Sequence, residues 1–297
     1  MELSEPMGPG QGAPGDGGSP LPASQSGGKP CATCGNGSDT TADYTNVFAI
    51  GRIEARFPRL SVEKEFTQVL GRSDANGKSD RAAFHSVLTH RENRYLVRKL
   101  CWVMTIQGLE TYLLQPHDPS DFGLLVEAIR PRPTPLDLDI VAGLRGPIAP
   151  PEMCNGLTLP VVIFDQIYSF ERQGFIQSIP RPEKADEAFE GAAEEVLDLI
   201  LQTTDNAGAT DEHRALNYLA VRYPTIYATT ADQFARNASL SGVEVRPSTL
   251  GGMRRIVEVI FTFTNRSTDV AERFFVRVDV TEEFPFLVTK LSPYYHR

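Results

Sequence analysis

Cys31 and Cys34 stand two residues apart with Gly35 directly after them. At this spacing two thiolates bind one tetrahedral zinc ion, and a following glycine permits the tight turn. Closing such a site takes further ligands. The other cysteines are Cys101, in a segment with strand pattern, and Cys154, in a Pro/Gly-rich loop, and they do not form a second Cys-x-x-Cys. Cys31, Cys34, Cys101 and Cys154 are therefore the candidate ligands of a structural zinc, with His117 in Gln115-Pro-His-Asp-Pro119 as a substitute. The plainer reading makes Cys101 and Cys154 ordinary buried thiols and Cys31/Cys34 an idle pair. A redox role fits less well, because a low-pKa redox cysteine sits at a helix N-terminus and this pair sits in a glycine-rich stretch.

Hydrolytic chemistry has little to work with. The sequence contains no G-x-S-x-G, H-E-x-x-H or G-x-x-x-x-G-K-[ST] pattern. None of the five histidines (His85, His90, His117, His213, His296) adjoins an obvious nucleophile. His213, in Asp211-Glu-His-Arg214, could serve as an acid/base group, but a solvated or capping role at a helix start is preferred. Asp165 opens a polar and aromatic stretch, DQIYSFER, that suits a pocket rim and equally a strand-to-helix junction. The aromatic residues of the second half, from Tyr218 to Tyr295, are numerous enough for a peptide groove. Their spacing favours core packing, and only exposed aromatics would shift that preference.

Composition narrows the partners. The chain has 297 residues, 41% apolar and 23% charged, with a net charge of -9, which is close to ordinary globular usage. An acidic balance argues against nucleic acid and anionic membrane, both of which need clustered Lys and Arg. No basic n-region and apolar h-region open the sequence, and apolar runs such as Val161–Phe164 are only strand-length. A cytoplasmic protein with reduced or metal-bound cysteines is expected, and the sequons at Asn36, Asn237 and Asn265 then carry no glycan.

The elements that must position these groups follow from periodicity. Residues 1–38 hold ten Gly and six Pro and cannot offset their own ordering entropy, so residues 1–40 read as a disordered tail or linker. Strands are expected at Val47–Phe57, across a Tyr95–Ile106/Leu109–Leu114 hairpin turning at Gln107-Gly108, and at Leu138–Leu144 and Pro160–Phe164. Helices are expected from Ser61 to Leu70, with Leu60 as a staple, at Asp80–His90 and at Asp121–Ile129. After Pro180-Arg-Pro182 come helices at Lys184–Gln202, Asp211–Arg222 (capped by Thr210) and Thr230–Arg236. Strands follow at Gly242–Arg246, Arg255–Thr264, Glu272–Thr281 and Phe284–Lys290. The result is an α+β fold of mixed helices and mostly antiparallel sheets in two subdomains, residues 41–182 and 183–297.

Five stretches resemble a known family: Ala49–Glu54 (AIGRIE), Val62–Phe66 (VEKEF), Arg145–Cys154 (RGPIAPPEMC), Thr203–Tyr218 (TTDNAGATDEHRALNY) and Val276–Phe286 (VRVDVTEEFPF). They are similar to the C-terminal region of PatG-type cyanobactin maturation proteins, and the resemblance runs from about Cys31 to Arg297. In that family the region follows a subtilisin-like protease that macrocyclises ribosomal peptides, and a related domain ends the partner protease PatA. The region is a domain of unknown function, and the protease with its triad has no counterpart in this sequence. The resemblance implies a non-catalytic accessory domain of a cyanobactin-like pathway, binding precursor peptide or a pathway protease. Two alternatives stand beside it. One is an unrecognised enzyme on modified peptides, using Asp165, His213 or the cysteines; the other is a purely structural module that forms a homodimer.

Overall fold

The period-two and helical patterns resolve into two sheets and eight helices in a computed structural model that describes residues 44–71, 80–131, 137–181, 188–203 and 205–295. The expected tail, with Cys31 and Cys34, lies outside the described residues. Five strands come first: β1 (Thr45–Arg56), β2 (Cys101–Ile106), β3 (Leu109–Pro116), β4 (Leu138–Ile148) and β5 (Pro160–Phe170). They close a barrel in the order β1-β2-β3-β5-β4, with β4 pairing back to β1. Only β3 and β5 run parallel. Helices α1 (Leu60–Leu70), α2 (Asp80–Leu88), α3 (Arg94–Val97) and α4 (Phe122–Ala128) connect the strands. The hairpin turns at Gln107 and Gly108, both at positive φ (52° and 81°), the backbone that suits the twist of two antiparallel strands.

Alternation along these strands builds separate cores, because successive side chains point to opposite faces. Trp102, Met104, Tyr112, Leu114, Val162 and Phe164 pack with α1, α2 and α4 residues in one cluster. Their neighbours Cys101, Val103, Leu113 and Val161 face the other way and are covered by Ala149 and Cys154 of the loop between β4 and β5. Phe48 and Ile50 of β1 belong to a third cluster, with Ile140 and Ala142 of β4 and much of the second half of the chain.

That second half holds α5 (Arg172–Ser178), α6 (Ala188–Leu201), α7 (Asp211–Arg222) and α8 (Thr225–Ala235). A second sheet follows, made of β6 (Ala238–Pro247), β7 (Ile256–Asn265), β8 (Ala271–Asp279), β9 (Phe286–Leu287) and β10 (Ser292–Pro293). Its order is β10-β8-β7-β6, with β9 also on β8, and every pairing is antiparallel. The fold is thus α+β, as the sequence predicts. Barrel and second sheet fall on either side of the expected boundary near residue 182. Residues 41–297 nonetheless cluster as one unit, because Phe48, Ile50, Ile140 and Ala142 share a core with Leu197, Leu216, Val259 and Phe261.

The junction is fastened by the Thr203–Tyr218 stretch. Gly208 has φ +70° and its carbonyl accepts from Phe48 N at 2.9 Å. An added Cβ there would stand 2.4 Å from Phe48 O, so both conformation and space demand glycine. Asn217, 1% exposed, donates to Phe48 O at 2.8 Å and exchanges hydrogen bonds with buried Asn206. Paired amides of this kind satisfy each other without water.

Several local expectations change. Tyr95–Val97 forms a helical turn rather than strand: Asn93 donates to Val87 O and Trp102 Nε1 to Val97 O, folding the chain back so that Leu96 and Val97 are buried. Helix α1 starts after Arg59, and Leu60 is 62% exposed, so it is no staple. β5 continues through Tyr168 to Phe170 before α5, a helix the sequence reading lacks. α8 begins at Thr225, directly after Pro224, whose fixed φ (-58°) pre-forms a helical turn. The expected Phe284–Lys290 strand contracts to Phe286–Leu287.

Candidate functional site

The cysteines come together in part. Cys101, at the start of β2, and Cys154, just after the Pro151–Met153 turn, are joined as a disulfide with Cα atoms 5.6 Å apart. Both are buried, 7% and 1% exposed. The expectation of reduced or metal-bound thiols therefore differs from the structure at this pair. The barrel topology brings two distant sulfurs within bonding reach, a contact that Cys spacing does not reveal. His117 turns to a carboxylate instead of a cysteine. Among the described residues no group of three or more His, Cys, Asp and Glu side chains is arranged to hold a metal ion.

Asp165 and His117 do meet. His117 follows the end of β3, Asp165 lies on β5, and the parallel pairing sets these strands side by side. The His117 Nδ1 to Asp165 Oδ1 distance is 2.7 Å, and the carboxylate raises the imidazole pKa. Glu283, in the segment between β8 and β9, completes the group. Burial first, then the Asp165 carboxylate, pushes its carboxyl up to about 7, against the opposing pull of Arg214 and His117. Glu283 Oε1 is buried and has no hydrogen-bond partner among the described residues.

Arg214 holds that segment in place. It is 1% exposed on α7 and donates to the carbonyls of Val280 (2.7 Å), Glu282 and Glu283 (2.9 Å). Burial lowers its pKa to about 10, against the favourable charge of Asp211. His213, its neighbour, is half-buried, its Nδ1 has no partner among the described residues, and burial lowers its pKa. Its backbone N–H takes the Thr210 cap at 3.2 Å, so the expected N-cap is present but His213 is not simply solvated.

The sign of the resulting pH dependence is fixed by these shifts. Glu283 and His117 both bind a proton more tightly in the folded state than in the unfolded one. The stabilisation from Glu283 is present in full below its unfolded value, near 4.5, and is lost as pH rises through about 7. That from His117 is present below its unfolded value, near 6.5, and fades as pH rises through its raised value. Thermal melts between pH 4.5 and 8 are expected to show stability drifting down relative to Glu283→Gln. Parallel curves for the two proteins would refute the assignment.

A cavity of about 630 Å³ opens elsewhere, where β1 and the hairpin tip meet the second half of the chain. Arg52, Glu54 and Arg56 of β1, Glu110 of β3, Arg172 of α5, and Asn206 and Asn217 line it. Gln107 at the hairpin tip fixes its edge by donating to Leu201 O (2.6 Å) and Thr203 O (3.2 Å) at the end of α6. A second cavity of about 530 Å³ lies between α1 and β2 and is bordered by Trp102, Arg98 and Glu152. Neither contains Asp165, His117 or His213. Of the aromatic residues, Tyr227, Phe261 and Phe263 are core, as preferred, while Phe284 (40%), Phe286 (45%) and Tyr295 (81%) are exposed. No described helix is long and apolar enough to cross a membrane.

Sequence reasoning names Asp165 and His213 but misses Arg214, Glu283 and Arg52. A signal existed for the first: Arg214 and Asn217 occupy the same helix face as Ala220, amid apolar neighbours, where a charged group must be paired.

Comparison with known proteins agrees with this architecture. Residues 183–294 match the family model described as PatG C-terminal. A solved structure described as the PatG domain of unknown function superposes with a TM-score of 0.67 at 19% identity, covering 84% of this chain and 98% of that one. At that identity the likeness shows a shared fold. No curated protein matches the sequence. The resemblance read from the sequence is borne out: residues 183–294 are similar to a PatG C-terminal domain, and the fold is that of the PatG domain of unknown function.

Proposed function

We propose that this chain is a non-catalytic, cytoplasmic accessory domain in the maturation of cyanobactin-like ribosomal peptides, where it binds precursor peptide or a pathway enzyme. The cavity beside β1 carries this reading. Its lining of guanidinium, carboxylate and amide groups on rigid strands and helix ends offers hydrogen bonds of the kind a peptide backbone uses. The PatG C-terminal match supplies the setting. The test is capture of the pathway's protease and precursor peptide by the full chain. Binding to either at micromolar concentration supports the reading, and no binding to either at tens of micromolar overturns it.

The acid–base reading keeps one observation, the His117–Asp165–Glu283 group with a carboxyl whose pKa is about 7. Turnover of a modified peptide that is lost in Glu283→Gln would favour it. A structural zinc on Cys31 and Cys34 also belongs to the proposal. Cys101 and Cys154 can complete its ligand set only as thiolates, with their disulfide open. Metal content by mass spectrometry, with thiol titration before and after chelation, tests it: one zinc per chain, with Cys31 and Cys34 protected until chelation, supports it, and a metal-free chain retaining the disulfide overturns it.

A further inference from the structure

We propose that the cavity beside β1 is a carboxylate-binding subsite for peptide, with the Arg52 guanidinium as its anchor; this rests on the peptide-binding reading. The guanidiniums in the wall are paired except one. Arg56 pairs with Glu54 and Glu110, and Arg172 pairs with Asp198 at 2.7 Å. Arg52 is half-buried and has no ion-pair partner among the described residues. Three arginines and two glutamates line the cavity, and Asp198 neutralises Arg172, so the draw on an anion comes from Arg52 itself rather than from a net positive lining.

The surroundings favour a ligand over free rotation in solvent. The backbone of Arg52 is held in β1 by its pairing with Thr105, whose hydroxyl also donates to Arg52 O at 3.4 Å. Asn206 and Asn217 are spent on each other and on Phe48, so they form a fixed floor. The guanidinium is then the free charged donor of the site, and its planar fork matches a carboxylate in two parallel hydrogen bonds. Glu54 and Glu110, close by on Arg56, repel a doubly charged phosphate more than a singly charged carboxylate. A volume of about 630 Å³ falls within the range for small-ligand sites and admits a few peptide residues.

The carboxylate could be a peptide C-terminus or an Asp or Glu side chain, and the assay separates them. Short peptides carrying one Glu, one Gln, a free C-terminus or an amidated one are titrated against the full chain and against Arg52→Gln and Arg52→Lys. Wild type is expected to prefer the carboxylate-bearing member of one pair by tenfold or more. Arg52→Gln abolishes that preference, Arg52→Lys restores part of it, and the thermal melt is unchanged because Arg52 holds no ion pair among the described residues. Peptide binding that is indifferent to both the carboxylate and Arg52 overturns the anchor and leaves peptide binding standing. A wild-type chain that binds none of the peptides overturns both.

Discussion

Replacing Arg214 with alanine is expected to cost about 3–5 kcal/mol of folding stability, the range for breaking a buried charged cluster from one side. The side chain is 1% exposed and donates to three carbonyls of the segment after β8, Val280, Glu282 and Glu283. Truncation leaves these acceptors buried without donors and opens a void in the junction. Chemical denaturation reads the loss directly. Arg214→Met fills most of the volume and cannot donate, so it separates packing from hydrogen bonding; its loss is expected to stay above half that of alanine. An alanine variant within 1 kcal/mol of wild type would mean that the clamp is dispensable.

Opening the Cys101–Cys154 bond should be nearly as costly. The two residues are 53 apart in sequence, and a cross-link over such a span restricts the unfolded chain by about 2–4 kcal/mol. The double variant Cys101→Ala/Cys154→Ala is expected to melt lower than wild type by that much. Since both sulfurs are buried, mild reductant should leave the folded protein intact and lower the refolded stability only after full unfolding. Equal melting of variant and oxidised wild type would sink this account. The outer cluster of Val103, Leu113 and Val161 depends on the same bond, because the loop bearing Ala149 and Cys154 is what covers it.

Much of the fold was written in short-range pattern. The Gln107-Gly108 turn, the Thr210 cap, the Gly208 turn and the apolar face of α6 all depend on residues within a few positions of each other. Backbone preference and side-chain period report such neighbours directly. The α+β class followed from the order of those segments, and the PatG resemblance from the residues that fill them. Departures arose where a distant partner overrode the local preference. Tyr95–Val97 has strand-forming residues, yet Asn93 and Trp102 tie it into a helical turn.

The site was legible only in fragments for the same reason. Asp165 and His117 are 48 residues apart and become neighbours through a parallel strand pair that no local signal specifies. Glu283 joins them from the second sheet, and Cys101 meets Cys154 because β2 and the loop after β4 share one outer face of the barrel. Sequence by itself determined which residues turn inward along most of the strands and helices, and hence that an α+β body would form. Which inward faces meet, where Arg214 is buried and why Arg52 is left without a carboxylate among the described residues were decided by tertiary packing. Burying apolar surface is non-directional, so periodicity marks a face for burial without naming its partner.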